Sequence, residues 1–165
     1  MKTLYVILGV LAIIIIGFFL FRAFPSGKSA FISLFPASSL NEKGNATATI
    51  KGKSIQLLIA KTPQEQHTGL SDRDSLPQDT GMVFVFNHPD YYLFWMRHMK
   101  FPLDIMYLNG NKIVTLLQNV KNPAYSVANP PILRPQAPAD KVIEVNAGFA
   151  QKYNLKTGDT ITLNL

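Results

Sequence analysis

The fifteen residues LDIMYLNGNKIVTLL, Leu103 to Leu117, carry the reading that decides the fold. Two apolar runs flank Asn109-Gly110, and Asn-Gly favours the positive φ of a two-residue turn. The stretch predicts an antiparallel hairpin between LDIMYL and KIVTLL. Successive side chains of a strand face opposite ways. Leu103, Ile105 and Tyr107 therefore share one face, and Asp104, Met106 and Leu108 the other. Asp104 is the only charge in the first run. A carboxylate between Leu103 and Ile105 is expected to be at least half buried, and a buried charge must be paired or hydrogen-bonded.

Outward from this hairpin the strand signals multiply. ATATI (46–50) and SIQLLIA (54–60) flank Lys51-Gly52-Lys53 as a second hairpin. In TPQEQHTGL, Thr62 is a helix cap, Pro63 suits the first helical position and Glu65 completes a capping box. Gly69 supplies the stop. MVFVF (82–86), YLFWMR (92–97), KVIEV (141–145) and TITLNL (160–165) read as further strands, and AGFAQKYN (147–154) as a short helix. Asn122 to Pro138 holds five prolines and reads as a long loop without regular pairing. No internal repeat interrupts this pattern. Many short strands with one or two short helices indicate a mostly-β, barrel- or sandwich-like domain.

The N-terminus reads differently. Leu4 to Phe21 carries no charge, and at about 1.5 Å per residue nearly crosses a bilayer core of roughly 30 Å. It exceeds a typical signal-peptide core, and no small-x-small cleavage site follows, so a retained single transmembrane helix is expected. The organisation is then 1–24 membrane anchor, 25–44 linker and 45–165 β domain. The short N-terminal flank favours the domain on the extracytoplasmic side. Cysteine is absent, which excludes disulfides and thiolate nucleophiles. The net charge of +6 is scattered rather than clustered, which argues against nucleic acid as a partner.

The candidate site centres on FWMRHMKFPLD, Phe94 to Asp104. One reading makes Asp104 a structural pin paired with Arg73 or Arg97. The other sets Arg73, Trp95, Arg97, His98 and Asp104 along a pocket for a small polar or anionic ligand or an envelope partner. An arginine clamps a carboxylate or phosphate bidentately, and a tryptophan stacks on a ring. Two alternatives accompany this. His98 oriented by Asp104 could serve an envelope hydrolase or transferase, although no G-x-S-x-G motif is present. Met96, His98 and Met99 offer soft ligands to Cu(I). No cofactor is expected.

In order and spacing, several of these residues resemble the DUF192 (UPF0127) family. They are Gly69-Leu70, Arg73, Leu76, Gly81-Met82, Phe84, Phe86, Phe94-Trp95-Met96 and Pro102-Leu103-Asp104-Ile105. Val142-Ile143-Glu144-Val145, Ala147-Gly148 and Gly158-Asp159 continue the pattern, so the resemblance spans Ala46 to Leu165. It implies a compact, mostly-β domain of exported proteins with no established activity. The family pattern Phe-Trp-Met-Lys-Asn-Thr is replaced at its last three places by Arg97, His98 and Met99. Chemistry at His98 would then belong to this protein alone.

Overall fold

A computed structural model describes residues 46–123 and 130–165. The expected anchor and linker lie outside the described residues. Among those described, no helix is long and apolar enough to cross a membrane.

The described chain is mostly β, a curled half-barrel sheet with two short helices. In order, the elements are β1 (Ala46–Ile50), β2 (Lys53–Ala60), α1 (Pro63–Thr68), β3 (Thr80–Asp90), β4 (Phe94–Trp95), β5 (Leu103–Asn109), β6 (Lys112–Val120), β7 (Ile132–Leu133), β8 (Ala139–Asn146), α2 (Phe149–Lys152) and β9 (Ile161–Asn164). Seven strands form one sheet in the order β6-β5-β8-β3-β2-β1-β9. Only β2 and β3 pair in parallel, because α1 carries the chain back across the sheet between them. The edges β6 and β9 meet at one end, where Gly158 N–H donates to Ile113 O and Ile161 N–H to Asn111 O, each at 2.8 Å.

Three local expectations are corrected. The β5–β6 turn lies one residue further on, because Asn109 pairs with Lys112 and the central residues are Gly110 and Asn111. Gly110 occupies the first central position at φ 61°, a conformation glycine adopts without Cβ strain. The strand expected at YLFWMR is reduced to Phe94–Trp95. After it, Met99 N–H bonds to Met96 O at 3.3 Å and His98 takes φ 55°. That turn brings Met96 and Met99 into one core, where strand alternation would have set them on opposite faces. Lastly, the proline-rich stretch does pair: Ile132–Leu133 lies antiparallel to Phe94–Trp95. Its prolines flank the two paired residues instead of interrupting them.

Both faces of the sheet are covered. The concave face is an apolar core drawn from seven strands and α2, including Ala46, Ile50, Val83, Met106, Ile143 and Ile161. On the convex face Phe84, Leu103, Ile105, Tyr107 and Val142 are roofed by Leu70, Leu76, Met96 and Met99. This is why β5 is buried along six consecutive residues. Between the layers, Gly81 lies where β8 passes closely. A Cβ there would stand 2.6 Å from Glu144 O and 2.9 Å from Leu57 Cδ2.

Candidate ligand-binding site

The site begins with the register of β8. Glu144 pairs across to Met82 on β3 and Ile105 on β5, so its side chain stands on the convex face among apolar neighbours. The residue is only 4% exposed. Burial alone pushes its carboxyl up to about 8, so at neutral pH the group is mostly an uncharged acid. Tyr107, on the same face of β5, has a buried hydroxyl without a hydrogen-bond partner among the described residues. Burial first, and then the charge of Glu144, raise the Tyr107 phenol above its ordinary range.

The roof over Glu144 is built by local sequence. Glu65 N–H donates to Thr62 Oγ1 at 3.3 Å, and Thr62 N–H donates back to Glu65 Oε2 at 3.1 Å, closing the capping box. Gln66 Nε2 pins the helix to Val85 O at 2.9 Å. Gly69 ends it at φ 52°, with its α-carbon so near Phe84 that a Cβ would lie 3.2 Å from the ring. Beyond it, Ser71 Oγ donates to Arg97 O and Asp72 N–H to His98 O, both at 3.0 Å. These bonds fasten the segment after α1 to the Met96–Met99 turn.

A cavity of about 230 Å³ remains between roof and sheet, and Glu144 lines it. Its walls include Phe84, Phe86, Tyr92, Phe94 and Trp95, with His67 and Ser71 on the α1 side. The rings brace one another. Phe84 and Phe94 meet edge-to-face at 4.9 Å, Phe86 stacks on Tyr92 at 3.6 Å, and His67 stands edge-on to Trp95 at 5.6 Å. Among the described residues, no lysine or arginine contributes to the lining. The arrangement can stack a flat or apolar body against rings and offer it one acid.

Of the five residues proposed from sequence, only Trp95 lines this cavity. Asp104 is buried, but its partners are backbone amides, not Arg73 or Arg97. Asn119 N–H reaches one carboxylate oxygen and Ala150 N–H the other, each at 2.7 Å. An amide pair can satisfy a buried carboxylate without a second charge to desolvate. Arg73 is half-buried and Arg97 exposed, and neither side chain reaches the carboxylate. His98 is exposed, with Nδ1 3.8 Å from Asp72 Oδ2, while both oxygens of Asp104 are occupied by the amides. Met96 and Met99 lie in the convex core and the His98 ring lies in solvent, so the three soft donors do not converge. Among the described residues, no group of three or more His, Asp or Glu could hold a metal ion.

Sequence reasoning passed over Glu144. The signal was an acid inside the apolar run KVIEV, the same anomaly that singled out Asp104.

A curled half-barrel with an aromatic cavity on its convex face is the class that this fold and site define. A family model, DUF192, described as an uncharacterized ACR, matches residues 46–163, and the chain belongs to that family. Among curated proteins nothing matches. One similar solved structure is a protein of unknown function from Novosphingobium aromaticivorans DSM 12444. It is 30% identical, with TM-score 0.62, over 72% of this chain and 83% of that one. Another is a putative transcription regulator from Sinorhizobium meliloti 1021, 24% identical with TM-score 0.61, over 72% of this chain and 91% of that one. The second likeness is one of fold.

Proposed function

We propose that this chain is a small-molecule-binding domain held at a membrane by Leu4 to Phe21, with the domain on the extracytoplasmic side. One observation supports the binding reading above others: the Glu144 carboxyl, only 4% exposed and with no protein hydrogen-bond partner among the described residues, lies at the wall of an aromatic cavity. Such a group costs folding free energy unless water or a ligand in the cavity satisfies it. A hydrolase or transferase is served less well by the same lining. The Ser71 hydroxyl donates to Arg97 O and Thr68 Oγ1 accepts from Gln64, so neither is paired with a base.

Trp95, the single tryptophan, lines the cavity and gives a built-in reporter. The full chain in detergent should show a higher Tm and altered Trp95 emission with members of a panel of small alcohols, amines, saccharides and carboxylates. Trp95→Ala should weaken the thermal response. A panel without any such response would refute the binding reading. The membrane placement has a separate test: alkaline carbonate should leave the chain in the membrane fraction, and protease added outside spheroplasts should digest the domain.

A further inference from the structure

We infer that the cavity takes a small organic cation, a protonated primary amine on an apolar body, with its ammonium against the Glu144 carboxylate and its body against Phe84, Phe94 and Trp95. This deepens the binding reading and rests on it.

Four observations converge. The protein carries net charge +6, yet among the described residues the cavity lining has no lysine or arginine, and Glu144 is its one carboxylate. An anion entering there would meet no lysine or arginine. Second, Glu144 is 4% exposed, flanked on its sheet by Met82 and Ile105, and has no protein hydrogen-bond partner among the described residues. Its unmet acceptor capacity suits a donor-rich head such as an ammonium, which carries three N–H groups. Third, the walls are aromatic, so ring faces attract a cation and the rings pack against an apolar body. Fourth, the volume of about 230 Å³ falls below the 300–1,000 Å³ of drug-sized sites, so the occupant is small.

The proton balance follows from the same geometry. An empty cavity holds Glu144 as the neutral acid, because burial disfavours its charge. An arriving ammonium compensates the carboxylate, so the acid gives up its proton to solvent as the ion pair forms. The other titratable groups facing it are Tyr107 on β5, and His67 on α1 and Tyr92 before β4 across the cavity. Tyr107 and Tyr92 are both shifted upward and stay neutral near pH 7.

The test uses the full chain in detergent with three probes of matched shape: 2-phenylethylammonium, 2-phenylethanol and phenylacetate. Calorimetry in two buffers of different ionisation enthalpy reads affinity and protons, and Trp95 emission reads affinity independently where the tryptophan is kept. The amine should bind at least about tenfold more tightly than the alcohol, a difference of about 1.4 kcal/mol. Phenylacetate should bind most weakly. Close to one proton should leave per amine bound at pH 7. Glu144→Gln should lose both the amine preference and the proton release. Trp95→Ala, at an exposed position, should weaken amine and alcohol alike. The inference is overturned if the alcohol binds as well as the amine, or if Glu144→Gln leaves amine affinity and proton release unchanged. Either result leaves the cavity a binding site. If none of the three probes binds, the inference fails, and the wider panel decides the binding reading independently.

Discussion

Two carboxylates lie on adjacent strands of one sheet and have opposite fates. Asp104 pairs with Val145, and Glu144 pairs with Ile105, so the two acids occupy neighbouring rungs and opposite faces. Asp104 is 1% exposed and Glu144 4% exposed, so burial does not distinguish them. Satisfaction does. Asp104 accepts two backbone N–H groups at 2.7 Å, one from Asn119 and one from Ala150 at the start of α2. Glu144 faces a cavity and is pushed to its neutral form. The acid on the concave side is answered by the fold itself, and the one on the convex side faces the cavity with no protein partner among the described residues. Burial alone does not mark a site; burial with unmet hydrogen-bonding capacity does.

The sharpest way to break this comparison is through pH. The Glu144 carboxyl lies near 4.5 when unfolded and about 8 when folded, so the folded state holds its proton more tightly. Its contribution is fully present below about 4.5 and lost as pH rises towards 8. Wild-type stability should fall across that window by about 1.4 kcal/mol per unit, relative to Glu144→Gln. By pH 9 the variant should be ahead by on the order of 4 kcal/mol. Urea unfolding at pH 5, 7 and 9 measures the gap, and parallel curves for the two proteins would remove the contrast.

Asp104→Ala is the reciprocal experiment. It strands two buried amide donors and should cost about 3 kcal/mol at neutral pH, read by the same urea transition. Hydrogen exchange at Asn119 and Ala150 should accelerate with it. If Asp104→Ala proved neutral, Asp104 would not be the structural acid of the pair. A smaller effect is expected at Gly81→Ala, where a new Cβ meets the Glu144 carbonyl and Leu57. Overpacking there should cost about 2 kcal/mol, and it tests how rigidly β8 is held behind the cavity. Thr62→Ala removes half of the capping box and should cost about 1 kcal/mol. Because α1 roofs the cavity, that variant should also bind ligands more weakly, whereas Asp104→Asn should leave binding unchanged in the folded protein.

Much of the fold is legible in local sequence. Lys51-Gly52 marks the first turn and has positive φ at both residues. Thr62, Pro63, Glu65 and Gly69 spell out α1 by rules that reach only four residues along the chain. The burial of Asp104 is legible too, because the apolar residues on either side of it carry both faces of the strand out of water. Its partners are not. Asn119 and Ala150 lie 15 and 46 residues away, and they contribute backbone groups that leave no mark in side-chain identity. Trp95 belongs to the site as expected, but within a stretch that alternation reads as strand throughout. The turn at Met96–Met99 breaks the alternation, because burying both methionines in one core outweighs continuing a two-residue ladder. Arg73, Arg97 and His98 carry the most conspicuous chemistry in the sequence and lie outside the cavity lining.

The sequence by itself determined most of the strands, the capped helix, the family and the presence of anomalous acids in apolar runs. These follow from periodicity, turn chemistry and burial cost, which act within a few residues. Tertiary structure alone decided which acid is answered and which is left open. That outcome depends on β8 lying between β3 and β5, and on α1 folding back over the convex face. Strand order and the approach of distant backbone amides are long-range facts. No short window of sequence contains them.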